Sequence, residues 1–131
     1  MIVLDTHVWI WWVSDPDELS SKARRLVDRA MEDDAIHISC ISAWEVAMLV
    51  TRNRLKLTMP VANWIETSEA LRFVNFVPVT NSIALRAVSL PAPFHNDPAD
   101  RIIVSTAMTL GAMLITKDDH ILRYAHVTTA W

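Results

Sequence analysis

Acidic residues stand just after two short apolar segments of the chain, where a parallel sheet would bring them together. Asp5 follows the apolar run Ile2–Leu4, and Asp118 follows a second run that ends at Ile115. A solvated aspartate at a strand end is common, and Asp118 with Asp119 would also suit the first turn of a helix. Each of these acids therefore has a purely structural explanation when it is taken alone.

Three further acids lie near predicted helix starts. Glu45 stands three residues after Ser42, which is the spacing of a capping box. Its neighbours are almost all apolar, however, and a glutamate in such a setting is costly unless it is paired or bound to a cation. Asp97 and Asp100 have the spacing of an N-cap and a third-position carboxylate. Arg101 is a candidate ion-pair partner for either of them.

The acids are harder to explain as a set than one at a time. Three or four carboxylates at one edge of a sheet repel each other and raise each other's pKa values. A hard divalent cation removes that penalty, and oxygen-only ligands suit Mg²⁺ or Mn²⁺. The five histidines show no metal-ligand spacing, and although we expect His7 and His95 near the site, we interpret them as structural residues. A cation held by carboxylates activates water and stabilises charge on a phosphodiester, so the set predicts phosphodiester hydrolysis.

The elements that must position these acids alternate between short apolar strands and helices. The predicted strands cover residues 2–4, 36–39, 76–79 and 112–115, with a further edge strand within 127–131. The predicted helices cover residues 6–13, 20–31, 42–52, 60–72, 80–89, 98–110 and 121–124. This alternation specifies an α/β domain with a mainly parallel sheet. In such sheets chemistry takes place outside the carboxyl ends of the strands, which is where the acids fall.

Length and composition narrow the class of protein. The 131 residues suit one domain over 1–131, and the 52% of apolar residues suffice for a core. A single glycine, Gly111, excludes glycine-rich phosphate loops. The lone Cys40, which we expect to be buried, fits a reducing cytoplasm. The net charge of −3 gives no bulk attraction for nucleic acid. No apolar stretch reaches the ~20 residues of a membrane span, so we expect a cytoplasmic protein.

Six tryptophans and one basic segment leave alternatives open. Tryptophan side chains stack on RNA bases in single-strand binders, although they more often belong to a core or an oligomer interface. We expect Trp9 and Trp44 in the core. Trp11 or Trp12 of the 9–12 segment, or part of the 44–57 helix region, is expected at an interface between subunits. The segment 52–56 is the strongest local basic patch, and we interpret it as a solvated helix end in preference to an RNA track.

Four segments, in this order along the chain, resemble the PIN domain and, more narrowly, the VapC toxins of bacterial toxin–antitoxin pairs. They are IVLDTH at 2–7, SCISAWEV at 39–46, LPAPFHNDPADRII at 90–103 and ITKD at 115–118. The similarity extends over essentially the whole chain. It implies an α/β/α sandwich whose mainly parallel central sheet has four to five strands.

The resemblance also implies an activity, a site and partners. The activity is that of a Mg²⁺- or Mn²⁺-dependent endoribonuclease acting on single-stranded RNA. The catalytic and metal-binding acids would be Asp5, Glu45, Asp100 and Asp118, with Thr6 and Thr116 as nearby hydroxyls and Asp97 as an auxiliary acid at the rim. Family members usually form homodimers and are held inactive by a small antitoxin from the same operon. We therefore expect a cognate antitoxin and a second copy of the chain as partners, and no membrane.

Two alternatives belong to other functional classes. The chain could be a catalytically inactive PIN-like interaction module, but a degenerate copy should have lost at least one acid of the quartet. A haloacid-dehalogenase-like phosphatase also begins with a strand that ends in aspartate. That chemistry needs a second aspartate two residues later, where this chain has His7, so we reject it.

Overall fold

A five-stranded parallel sheet forms the centre of the protein. The computed structural model describes residues 1–131, and its strands are β1 (Ile2–Leu4), β2 (Ile36–Ser39), β3 (Val74–Val77), β4 (Met113–Ile115) and β5 (Thr129–Ala130). They lie in the order β3-β2-β1-β4-β5, and every neighbouring pair is parallel. The chain winds away from β1 on one side and returns to it on the other. The carboxyl ends of the neighbouring strands β1 and β4 therefore mark a topological switch point, which is the usual place for a ligand in such a sheet.

Helices cover both faces of this sheet. They are α1 (Thr6–Ser14), α2 (Ser21–Glu32), α3 (Cys40–Thr51), α4 (Val61–Glu69), α5 (Asn81–Val88), α6 (Pro98–Leu110) and α7 (Asp119–Leu122). Alternate residues of β1 face opposite layers. Ile2 and Leu4 belong to a buried cluster with α1, α2 and α4, whereas Val3 belongs to a second cluster with α6. The predicted α/β/α sandwich is confirmed.

Local capping explains where several helices begin and end. The Ser20 hydroxyl accepts the Ala23 amide at 2.9 Å before α2, and the Asp97 carboxylate accepts the Asp100 amide at 3.0 Å before α6. Gly111 ends α6 with φ at 63°, a left-handed conformation that favours glycine after a helix. None of the helices combines the length and the apolar character that crossing a membrane requires.

Helix α3 departs from the sequence predictions. It begins directly after β2 with Ser39 as its N-cap, so Ser42 lies inside the first turn, fully buried, and the predicted capping box is wrong. Cys40 is exposed, and so is Trp44, whose exposed fraction is 56%. Both had been expected to be buried. They lie four positions apart, on the same side of the helix, and that side faces outward.

Candidate active site

Asp5 lies at the carboxyl end of β1, where both of its carboxylate oxygens are held. Oδ1 accepts the Thr6 amide at 2.8 Å, which makes Asp5 the N-cap of α1, and Oδ2 accepts the Thr116 hydroxyl at 2.7 Å. The residue is only 8% exposed. Burial raises the pKa of Asp5, because desolvation outweighs these two hydrogen bonds. Asp5 is thus fixed in position, with its negative charge poorly solvated.

Glu45 reaches the same region from α3. The Thr6 hydroxyl donates to Glu45 Oε1 and is also hydrogen-bonded to Ser42 Oγ at 2.8 Å. Burial raises the pKa of Glu45, and the negative charges of Asp5 and Asp97 raise it further against the opposing effect of the Thr6 hydroxyl. The start of α1 therefore connects the acid of α3 to the acid of the central strand. Ser42 was predicted to be the N-cap of this helix. Its hydroxyl instead contacts Thr6 and helps to position that residue.

Asp97 and Asp100 come from the first turn of α6 and differ in environment. Asp97 is exposed at the N-cap, as predicted. The Asp100 side chain is only 19% exposed, and the His95 Nε2 atom lies 3.2 Å from its Oδ2 atom. Burial first, and then the negative charges of the surrounding acids, raise the pKa of Asp100 to about 8. His95 Nε2 makes no hydrogen bond despite this short distance, so the negative charge of Asp100 is poorly compensated.

Arg101 does not neutralise these acids. Its guanidinium donates to four backbone carbonyls, those of residues 87, 88, 94 and 95, at 2.8–3.3 Å. The predicted ion pair with Asp97 or Asp100 is therefore wrong. Arg101 instead fastens the loop between α5 and α6, which carries His95, to the end of α5. The donors of a fixed guanidinium fork are well suited to hold several carbonyls at once.

Asp118 completes the group from the strand next to β1. Thr116 at the end of β4 is fully buried, and its hydroxyl accepts the Asp118 amide at 3.0 Å while it donates to Asp5. The Asp118 carboxylate caps α7 by accepting the His120 and Ile121 amides. Thr116 therefore links the two strand-end aspartates, which explains why a hydroxyl is needed at that position.

These side chains surround one open cleft of about 440 Å³ at the switch point. Its lining residues are Asp5, His7, Val8, Trp11, Glu45, Asp97, Asp100, Lys117 and Asp118. All five predicted acids are thus together, and Thr6 and Thr116 lie buried beneath them. Lys117 also lines the cleft but was not among the predicted site residues; its Nζ lies 5.6 Å from the centre of the Trp11 ring and 6.0 Å from the centre of the Trp131 ring. Its position in the sequence between two predicted site residues, Thr116 and Asp118, could have identified it.

The acids do not by themselves form a closed coordination sphere. No group of three or more His, Cys, Asp or Glu side chains is arranged to hold a metal ion as the side chains stand. What the cleft offers is a set of carboxylate oxygens and one lysine, and burial raises the pKa values of three of the acids, Asp5, Glu45 and Asp100. Its chemistry is that of an anionic site whose charge the protein leaves largely uncompensated.

The family assignment agrees with this geometry. The model of the PIN domain matches residues 2–127 of the chain. The chain belongs to the PIN domain family. Ribonuclease VapC22 of Mycobacterium tuberculosis is a relative that is 36% identical over 132 residues, which cover 99% of this chain and 98% of the relative. The resemblance to PIN domains of the VapC type, inferred from four sequence segments, is confirmed.

Solved structures with low sequence identity share the fold of this PIN-domain chain. One is the crystal structure of VapBC2 from Rickettsia felis bound to a promoter DNA fragment, with a TM-score of 0.72, 15% identity, and coverage of 99% of this chain and 98% of that chain. Another is a toxin–antitoxin complex from Klebsiella pneumoniae, with a TM-score of 0.65, 20% identity, and coverage of 100% and 98%. The central sheet and its flanking helices are therefore common to proteins with very different sequences.

Proposed function

We propose that this protein is a VapC-type toxin that hydrolyses single-stranded RNA with Mg²⁺ or Mn²⁺ at the acidic cleft. The observation that carries the proposal is the convergence of Asp5, Glu45, Asp100 and Asp118 at the carboxyl ends of β1 and β4. The 36% identical relative is named a ribonuclease, which supports RNA as the substrate.

A hard divalent cation fits the donors of the cleft. Every acidic group that lines it offers carboxylate oxygen, the donor that Mg²⁺ and Mn²⁺ prefer. PIN-domain nucleases of the VapC type are generally dependent on a divalent metal. Asp5, Glu45, Asp100 and Asp118 would hold the ion. When bound, it would lower the pKa of a water molecule and stabilise negative charge on the scissile phosphate.

The remaining polar residues of the site would act by positioning these acids. The Thr116 hydroxyl donates its hydrogen bond to Asp5 Oδ2, which restrains rotation of the Asp5 carboxylate. Thr6 holds Glu45 in the same way. Asp97 caps α6 at the rim and acts as an auxiliary acid. Lys117, which lines the cleft, lies where its ammonium can meet a substrate phosphate.

A small antitoxin and a second copy of the chain are the partners that we assign. The structural neighbour from Klebsiella pneumoniae is a toxin–antitoxin complex by its own description, which supports an antitoxin protein as a partner of this chain. A homodimer is the expected state of the free toxin, because a single chain leaves large apolar side chains such as Leu85 and Val88 of α5 exposed to solvent.

The test uses purified protein and a labelled single-stranded RNA of mixed sequence. We expect cleavage with Mg²⁺ or Mn²⁺ and none after addition of EDTA. Asp5→Asn is the inactive control, because asparagine can still serve as the N-cap of α1. Single-stranded DNA of the same sequence serves as the substrate control. Cleavage that persists in excess chelator would contradict the metal mechanism. An intact RNA with every metal would favour the inactive interaction module.

A further inference from the structure

A second groove opens directly beside the acidic cleft, and we call it the Trp44 groove. It has a volume of about 300 Å³ and shares Glu45 and Asp97 with the cleft. Its other walls are Trp44, Met48 and Leu49 of α3, the turn residues Arg52 and Arg54, and the start of α6. Any extended chain that passes through the cleft on this side enters the Trp44 groove.

Trp44 differs from every other tryptophan of the protein. The other five each have an aromatic ring as a neighbour within the chain, and the indole N–H groups of Trp9 and Trp64 are hydrogen-bonded. Trp44 has neither an aromatic neighbour nor a hydrogen bond, and it is 56% exposed. An indole held on a helix with a free face is a stacking platform.

Two arginines stand at the far end of the groove with their charges free. Arg52 and Arg54 are exposed, and neither takes part in an ion pair or a side-chain hydrogen bond. The turn that carries them is well defined, because Asn53 adopts φ of 57° and the Arg54 amide donates to the Leu49 carbonyl at 2.9 Å. The groove thus combines one free aromatic face with two uncompensated positive charges.

We propose that the Trp44 groove binds the single-stranded RNA that flanks the scissile phosphate, with one base stacked on Trp44 and backbone phosphates near Arg52 and Arg54. This inference rests on the proposed function. An acidic cleft in a chain of net charge −3 repels RNA, so a strand must be held by positive charge near the site. The two acids of the groove, Glu45 and Asp97, are those that it shares with the cleft, and its other residues include no acid, so the free charges of Arg52 and Arg54 favour a polyanionic strand as the occupant.

The experiment measures RNA affinity by fluorescence anisotropy in the Asp5→Asn background, where the labelled strand stays intact. Trp44→Ala should weaken binding by ~5- to ~100-fold, the range for loss of one base–aromatic stack. Trp44→Phe, which keeps an aromatic face, should stay within ~3-fold of the parent. In the active protein, which has aspartate at position 5, Trp44→Ala should raise the KM for RNA by a similar factor and change kcat by less than ~3-fold.

The arginines are tested by salt dependence. Arg52→Ala with Arg54→Ala should reduce the slope of log affinity against log salt by ~1.4, since each phosphate contact on a single strand contributes ~0.7. The matched control is Arg25→Ala with Arg29→Ala, two exposed arginines on α2 that make no ion pair with an acid. That control should leave the slope unchanged.

The outcomes separate this inference from the proposed function. If the wild-type protein cleaves RNA and Trp44→Ala binds it as tightly as the parent, only the groove assignment is overturned. If the wild-type protein cleaves no RNA, the proposed function fails on its own assay. Sedimentation of the same variants tests the other occupant: loss of RNA affinity that occurs together with dissociation of a dimer would assign the groove to a subunit interface and overturn the proposal.

Discussion

The uncompensated charge of the acidic cleft predicts that Asp100→Asn stabilises the metal-free protein in a pH-dependent way. Burial and the neighbouring carboxylates raise the pKa of Asp100 from 3.8 to about 8. A group whose pKa is higher in the folded state contributes stability that is fully present below pH 3.8 and is lost as the pH rises towards 8. Asparagine stays neutral throughout, so the variant avoids that loss.

The size of the stability gain follows from the difference between the two pKa values of Asp100. At about 1.36 kcal/mol for each pKa unit, the interval from 3.8 to about 8 corresponds to about 6 kcal/mol at full strength. Local rearrangement and water penetration reduce such a penalty, and we take half of it as the expected effect. The gain in the free energy of unfolding is then about 2–3 kcal/mol at pH 8 and below about 1 kcal/mol at pH 5. For a domain of this size the larger gain corresponds to a rise in Tm of about 10 °C.

Thermal unfolding in EDTA at pH 5, 6.5 and 8 measures this difference. The control variant is Asp28→Asn, which neutralises an exposed acid on α2 far from the cleft in sequence and should shift Tm by less than ~2 °C at every pH. Added Mg²⁺ should raise the Tm of the wild type more than that of Asp100→Asn, because the variant lacks one metal-binding acid. A Tm for Asp100→Asn that is unchanged or lowered at pH 8 would refute the reasoning, and so would a shift that is equal at all three pH values.

Three other predictions concern the site and the assembly. Glu45→Gln should lower RNA cleavage at least ~100-fold (about 2.7 kcal/mol), whereas Asp97→Ser keeps an N-cap and should lower it ~10-fold or less; equal losses in the cleavage assay would place Asp97 among the metal-binding acids. Thr116→Val leaves an oxygen of Asp5 without its donor and should cost about 1–3 kcal/mol of unfolding free energy in urea, while Thr116→Ser should stay close to wild type; equal stability of both would contradict the positioning role. Sedimentation at micromolar concentration should show a dimer, and a monomer would contradict the expected assembly.

Much of the fold was predictable because local signals agree with the final structure. Helix α6 runs from Pro98 to Leu110 as predicted, since an Asp-Pro start and a following glycine mark both ends. Strand β2 also has the predicted bounds, 36–39. The meeting of the acids followed from one rule, that the carboxyl ends of parallel strands share an edge of the sheet. These features depend on short stretches of sequence and on sheet direction.

The errors arose where the sequence offers two equivalent choices. Ser39 and Ser42 are both good N-caps, and the choice of Ser39 is made by β2, which ends there and starts the helix at once. Trp44 lies in a helix that is apolar on nearly every side, so periodicity cannot tell which face is exposed. The partners of Arg101 are backbone carbonyls of a loop, and no side-chain pattern reveals them.

The order of the strands has a consequence for synthesis on the ribosome. Asp5 and Thr116, which are hydrogen-bonded, are 111 residues apart, and β1 emerges first while its neighbour β4 emerges near the end. Translation takes seconds for a chain of this length, at ~5–20 residues per second. Through most of that time the acids of residues 5 and 118 cannot meet, so the growing chain has no complete cleft. A chain that stops before β4 exposes one edge of the central strand, and such an edge promotes aggregation. We therefore expect interrupted translation to give aggregation-prone fragments that lack the complete cleft.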